Sequence, residues 1–360
     1  MSIPRASSRS TWLVVLAMLS AGGLLCGLSV VSFDDGGGCL SCAGSDRSSD
    51  SSEGGIVVFD LASGETLWSH DPGYLRDVEL ELHPAGLVVR EMSYGPEESA
   101  SPLFVDAATG AVRAPFVVDS ERCVAREPRA ALASVTLGGS SADAPRLANG
   151  WRLARDPLDD AIRFRGGWIW PAHLRFVADS GAVVWTLRLG SPPRAMTFHG
   201  DLVLVAGELA GALGTTSVAA FRAGASRPLW SVELSGLPGW DLWNGSLWPS
   251  AERLYVVGRW FVAALAIADG DVLWSRALGD EVQSGESGYD HGSFPAAVAE
   301  SGASVVVRVD GAFVVLDRAT GATRWHLAGD APESFLVDGD RLIAHADRDA
   351  RVVRPALAVR

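Results

Sequence analysis

Val315-Leu-Asp317-Arg-Ala-Thr-Gly321-Ala-Thr-Arg-Trp325 reads as a short apolar strand, a tight turn and a returning strand that carries a large aromatic residue. The Asp317 carboxylate is placed to accept backbone N–H groups from the residues just after it and so fix the turn. Gly321 supplies the positive φ that a tight hairpin demands at no steric cost. Val58-Phe-Asp60-Leu-Ala-Ser-Gly64-Glu-Thr-Leu-Trp68 repeats the same spacing near the other end of the chain. Between these copies the pattern is degenerate. Phe104-Val-Asp106-Ala-Ala-Thr-Gly110 keeps the first half and has Ala114 in the Trp position. The segment from Ala178 keeps Gly181 and Trp185, and that from Phe221 keeps Trp230 with a displaced Gly224. The segment from Ala264 keeps Gly270 and Trp274 but has Ala266 in the Asp position.

Strand-like segments precede these turns, among them 201–207, 253–258 and 340–345. Each unit is therefore a small antiparallel sheet, and a sheet of that size cannot bury both faces alone. Unit ends fall at 68, 114, 185, 230, 274 and 325. A recurrence of that length marks a repeat architecture. Radial stacking lets each Trp pack on the neighbouring sheet and leaves few exposed edges. The expected fold is all-β: a β-propeller of about seven four-stranded blades over 56–360, with six or eight also compatible. The seventh would be a shortened unit ending near Trp151, inside the long interval from 114 to 185. The expected blade-docking residues are Asp60, Gly64, Trp68, Asp106, Gly110, Gly181, Trp185, Trp230, Gly270, Trp274, Asp317, Gly321 and Trp325. The chain enters partway through a unit at Ile56 and ends without a final Trp, so its N-terminal strands are expected to complete the last blade.

The strand–Asp–x–x–Thr–Gly–x–x–x–Trp pattern, carried by Asp317 to Trp325, by Asp106 to Gly110 and, with Ser for Thr, by Asp60 to Trp68, resembles the quinoprotein-type (PQQ-like) β-propeller repeat. The resemblance spans roughly 56–350 and is faint between 115 and 175. It implies architecture, because the matched residues are the ones that dock blades. The family includes quinone-dependent dehydrogenases and non-enzymatic assembly scaffolds of the BamB type. The resemblance implies, for the dehydrogenases, an adjacent-cysteine disulfide and a Ca²⁺ held by acidic and amide side chains. This chain has no adjacent Cys pair, and Cys123 is the sole cysteine of the propeller region. The scaffold branch is therefore the expectation, with no catalytic, cofactor or metal residues. A quinone-dependent enzyme with its cofactor in the central funnel is the alternative.

Residues 12–33 are uncharged and apolar, preceded by Arg5 and Arg9 and followed by Asp34 and Asp35. As a helix rising about 1.5 Å per residue they span a hydrocarbon core of roughly 30 Å. The basic flank places 1–11 in the cytoplasm and the remainder outside, as a single-pass cell-membrane protein. A signal peptide cut after Ser20-Ala21-Gly22 is the competing reading. Residues 34–55 are rich in Gly, Ser and Asp, with no apolar period, and read as a disordered linker. Within it Cys39-Leu-Ser-Cys42 has the spacing of a small disulfide but lacks the βαβ context of a redox motif.

The net charge of −13 argues against sequence-independent nucleic-acid binding, which needs a basic surface to displace counterions. The seven His residues form no HxH or HxxxH pair. Loop content is more informative. The interval from the unit-end Trp to the next strand is 17 positions from Trp185 to Leu202, but 24 from Trp230 to Leu254 and 31 from Trp274 to Val305. Trp240, Trp243 and Trp248 lie in the first enlarged interval; Tyr289, Asp290 and His291 lie in the second. Aromatics interleaved with polar groups suit a protein, peptide or cell-envelope glycan. The same aromatics would equally serve as packing beneath their own loops.

Overall fold

The computed structural model describes residues 54–71, 78–91, 102–116, 118, 125–126, 146–153, 162–164, 167–169, 173–209, 216–235, 242, 246–258, 260–278, 297–309, 312–328, 334–347 and 351–355. Strands and turns make up these residues, with no helix among them. The anchor 12–33 and residues 34–53 of the linker lie outside them, while Gly54 and Gly55, expected to end the linker 34–55, begin the first strand by pairing with Asp347 and Ala346.

Six sheets of three or more strands form the body. Blade 1 is built from both ends of the chain: β1 (Gly54–Asp60) and β2 (Thr66–His70) join β24 (Ser334–Asp338) and β25 (Arg341–Asp347) in the order β2-β1-β25-β24. All seven residues of β1 pair antiparallel with β25, from Gly54 opposite Asp347 to Asp60 opposite Arg341. The N-terminal strands thus complete the last blade. Blade 2 contains β3 (Val78–His83), β4 (Gly86–Glu91) and β5 (Leu103–Val105), with the short β6 (Ala125–Arg126) added beside β3. Blade 3 contains β7 (Arg152–Leu153), β10 (His173–Val177) and β11 (Val183–Arg188); the hairpin of β8 (Ile162–Phe164) and β9 (Gly167–Ile169) is inserted between β7 and β10.

The remaining blades are regular meanders. Blade 4 runs β12 (Ala195–His199), β13 (Leu202–Gly207), β14 (Thr216–Arg222) and β15 (Trp230–Leu234). Blade 5 runs β16 (Leu247–Pro249), β17 (Arg253–Gly258), β18 (Phe261–Ala266) and β19 (Val272–Ala277). Blade 6 runs β20 (Ala297–Ser301), β21 (Ser304–Val309), β22 (Ala312–Asp317) and β23 (Thr323–Ala328), and β26 (Arg351–Val353) adds a fifth strand outside β23. The first strands of neighbouring blades approach one another, β12 with β16, β20 with β24 and β24 with β3, so these strands gather around the axis.

Trp151 does not end a separate unit. It lies immediately before β7 in blade 3 and packs with Trp185 of that blade, ring centroids 6.4 Å apart. The described residues accordingly make six sheets of three or more strands, the lower of the counts compatible with the sequence, where about seven was the expectation. The segments 201–207, 253–258 and 340–345 fall on the second strand of a blade, and a further strand precedes each on the axial side. Those axial strands are short, as in Leu247-Trp-Pro249, or mixed in polarity, as in Ala297-Val-Ala-Glu-Ser301, which hides them among loop residues.

Five apolar clusters hold five joints. Phe176 and Trp185 meet Met196 and Phe221 between blades 3 and 4. Trp230 meets Leu254 and Leu265 between blades 4 and 5. Trp274 meets Val305 and Leu316 between blades 5 and 6. Trp325 meets Phe59 and Leu61 between blades 6 and 1. Ile56 and Val58 meet Leu80 and Val105 between blades 1 and 2, with Trp68 packed against that group. Among the described residues no such cluster joins blade 2 to blade 3. Blade 2 is also the blade whose docking Trp is replaced, by Ala114.

Candidate functional site

The docking motif is two devices in one. Asp60 Oδ1 accepts from the Ala62 and Ser63 amides at 3.1 and 2.7 Å and from the Ser63 hydroxyl at 2.8 Å. Asp106 Oδ1 does the same with Ala108, Thr109 and the Thr109 hydroxyl, and Asp317 with Ala319, Thr320 and the Thr320 hydroxyl. This explains the Ser or Thr before each Gly. In blade 5, where Ala266 has no carboxylate, the turn keeps its backbone bond from Gly270 N–H to the Ala266 carbonyl at 2.9 Å.

The second device joins blades. The Trp325 indole donates to the Leu61 carbonyl at 3.0 Å, Trp68 to Ala107 at 3.1 Å, Trp230 to Ile267 at 3.0 Å and Trp274 to Arg318 at 2.9 Å. Each acceptor is the residue following the Asp position of the next blade's turn. The same indoles lie flat against that turn's glycine. A Cβ on Gly110, Gly270 or Gly321 would fall within 2.6 Å of an atom of Trp68, Trp230 or Trp274 respectively. Glycine is thus required by φ, +75°, +81° and +70° at these positions, and also by contact. Blade 3 departs from this arrangement. Trp185 stacks on Phe176 of its own blade at 4.6 Å, and a Cβ on Gly181 would meet nothing within 4 Å.

The three turn carboxylates are held below their ordinary value of 3.8. At Asp60 the Ser63 backbone bond is the main cause, at Asp106 the Thr109 hydroxyl, and at Asp317 the Arg324 guanidinium, whose Nη2 donates to Oδ2 at 2.8 Å. A depressed carboxylate contributes stability above its unfolded pKa, and that stability is lost as pH falls through the folded value. The urea midpoint is therefore expected to drop between pH 7 and pH 3. In a D60N/D106N/D317N variant the drop will be smaller, because Asn keeps an acceptor oxygen without the proton linkage.

Another cluster of titratable groups binds blade 5 to blade 6. The Tyr255 hydroxyl donates to Glu300 Oε1, Glu300 lies 3.4 Å from Arg318 Nε, and Arg253 donates to the Arg318 carbonyl. Burial, then the Glu300 hydrogen bond, pushes the Tyr255 hydroxyl far above its ordinary value of 10.0, so it stays a protonated donor. These groups act as an inter-blade clasp. Among the described residues no group of three or more His, Cys, Asp or Glu is arranged to hold a metal ion.

The two faces of the ring differ. The turns between first and second strands and between third and fourth strands open on one face, the face of the Asp turns. The connections between second and third strands and from one blade to the next open on the other. On that second face the inter-blade connections are 189–194 and 329–333 in two places, but 235–246 and 278–296 around blade 5. Trp240, Trp243, Tyr289, Asp290 and His291 belong to these long connections and lie outside the described residues.

Trp248 lies on β16, opposite Tyr255 of β17, and not in a loop. Its ring is half-buried against the clusters of both the 5/6 and 6/1 joints. Its indole Nε1 is buried and has no hydrogen-bond partner among the described residues. The structure thus places this residue on a strand, packed against both joints. β6 lies on the axial side of β3 and against β24, so chain backbone occupies part of the central funnel, where the alternative reading would seat a cofactor. Among the described residues no helix is long and apolar enough to cross a membrane.

Comparison with known proteins supports the repeat. Residues 259–356 match the family model PQQ_2, described as outer membrane protein assembly factor BamB. No curated protein matches the sequence. Among solved structures, BamB from Moraxella catarrhalis is 14% identical with a TM-score of 0.34, over 85% of this chain and 83% of that one. The β-propeller domain of Cps50 (Swd1) from Myceliophteria thermophila is 14% identical with a TM-score of 0.32, over 55% of this chain and 65% of that one. Hsv2 from Kluyvelomyces marxianus is 12% identical with a TM-score of 0.29, over 74% of this chain and 67% of that one. Superpositions this loose add nothing to the strand pairing, which carries the architecture by itself. The matched residues 259–356, from the third strand of blade 5 through the ring closure, are similar to the PQQ-like repeat of that family model.

Proposed function

We propose that this chain is a non-catalytic binding propeller, tethered by residues 12–33 on the outer side of a membrane, that presents its long-loop face to a protein, peptide or envelope glycan. One observation supports the reading above all: two long inter-blade connections, 235–246 and 278–296, flank blade 5 and start and end at the same side of the sheets. Enlarged neighbouring loops on a rigid repeat are a common means of building a recognition surface. The strongly patterned residues, by contrast, are taken up in joints. Asp carboxylates bind their own turns, indoles bind the next turn, and Tyr255 and Glu300 bind each other.

Within the long loops Trp243 and Tyr289 are the recognition residues of this reading, with Trp240, Asp290 and His291 beside them. Proximity labelling from the intact membrane protein will identify partners. Capture of those partners falls at least about tenfold in a W243A/Y289A variant of unchanged melting temperature, as expected when two interface aromatics are truncated. Undiminished capture would remove this surface. Deleting residues 1–33 releases the protein from the membrane fraction; continued sedimentation with membranes would remove the tether.

A further inference from the structure

Blade 3 is exposed where the other blades are covered. In β14 of blade 4 every residue from Thr216 to Phe221 is buried, and in β18 of blade 5 every residue from Phe261 to Leu265. The equivalent strand of blade 3, β10, alternates: His173 and Arg175 are exposed, Leu174 and Phe176 buried. One face of that sheet packs on blade 4 and the other meets solvent. The missing peg at Ala114 and the open space beside Gly181 belong to the same gap.

Cross-strand register defines what this open face carries. Arg175 is opposite Thr186, His173 opposite Arg188 and Val177 opposite Arg152, so Arg152, His173, Arg175 and Arg188 share one side. The three strands of blade 3 contain three arginines and no carboxylate, in a chain of net charge −13. Arg152 and Arg175 also interact within the chain, which leaves Arg188 as the outlying positive group.

The edge of the blade is apolar, as is that of blade 5, whose outer strand exposes Val272 and Leu273. β11 is the outermost strand and has no pairing partner on its far side among the described residues. It runs six residues with its sole charge at Arg188, and Val183 and Val184 are 56% and 41% exposed. An apolar edge whose one charge sits at its end can accept another strand. The molecule itself shows the reaction on the equivalent strand of blade 6. There β26 pairs with β23, His326 opposite Val353 and Ala328 opposite Arg351, and seats Val352 on the cluster of the 6/1 joint.

We infer that β11 is a strand-addition site for an extended acidic segment of a partner protein, paired along the blade 3 edge with carboxylates toward Arg188 and aliphatic side chains toward Val183 and Val184. Backbone hydrogen bonds would supply affinity and the alternating side chains selectivity. The inference rests on the chain being a binding module but not on its long-loop face.

A fluorescein-labelled peptide of alternating Glu and Val tests it by anisotropy on the full chain. The acidic peptide is expected to bind at least about tenfold tighter than its Lys-Val counterpart, and N-methylation of alternate amides should abolish binding. Arg188→Glu, at an exposed strand end, weakens binding about fivefold or more without lowering the melting temperature. Val184→Asp acts in the same direction. The W243A/Y289A variant binds the peptide unchanged, which separates this site from the long-loop surface. Equal binding of both peptides, insensitivity to N-methylation, or an unchanged R188E affinity would overturn the inference. So would Arg188-dependent binding to phosphatidylglycerol vesicles in preference to the peptide, or Arg188-dependent self-association that blocks the peptide; these would assign the surface to lipid or to a second copy.

Discussion

Trp325→Ala lowers the stability of the propeller by about 3–5 kcal/mol, a large fraction of the roughly 5–15 kcal/mol available to a folded domain. The indole is fully buried and sits at the joint where the two ends of the chain meet. Its removal opens a cavity between Phe59, whose ring lies 5.6 Å away, and the turn of blade 1. It also leaves the Leu61 carbonyl without its donor. Trp68→Ala, by comparison, costs less, because that indole is only half-buried and the joint it serves is held by Ile56, Val58, Leu80 and Val105. Urea unfolding of both variants checks the order. Equal losses would mean that the closing joint has no special burden.

Gly321→Ala costs about 2–4 kcal/mol, and Gly181→Ala only about 1 kcal/mol, although both glycines take a positive φ four residues before a blade's Trp. The backbone strain is shared: φ is +70° at Gly321 and +81° at Gly181. The packing is not. A Cβ on Gly321 would lie 2.5 Å from the Trp274 ring, and the ring is pinned by its bond to the Arg318 carbonyl. A Cβ on Gly181 projects into open space. The difference between the two variants therefore measures the peg alone. Removing the peg first provides a control: in a Trp274→Ala background the cost of Gly321→Ala falls to that of Gly181→Ala. A cost that stays near its original value in that background would show that φ, and not the neighbouring indole, sets the glycine requirement.

The Asp–Gly–Trp spacing made the turns and the repeat legible because each of its residues answers to a local demand. The carboxylate needs an N–H two and three residues on, and the glycine needs a positive φ; both are set within one turn. The partner of each Trp was less visible. Nothing local to Trp325 points to Leu61, which is 264 positions away in the chain. That contact follows only from closing the ring. Strands of two or three residues, such as β6, β7 and β26, carry no alternation long enough to detect, and so the axial strand of β6 and the fifth strand of blade 6 escaped the sequence. Trp248 was misplaced for a related reason. Its neighbours Asn244, Gly245, Ser246 and Pro249 look like loop, and only the pairing of β16 with β17 puts the indole in the core. The degenerate stretch around 115–175 was the faintest part of the repeat, and in the structure it borders the one pair of consecutive blades that share no apolar cluster among the described residues.

Amide hydrogen exchange over residues 54–60 and 341–347 tests the closed ring most directly. If β1 completes blade 1 by pairing with β25 along its whole length, the two segments are protected together and exchange at the rate of global unfolding, alongside β13 and β14. Rapid exchange of 54–60 beside a protected β13–β14 pair would mean that the N-terminal strand is not part of the fold, and the propeller would not be closed by its own ends.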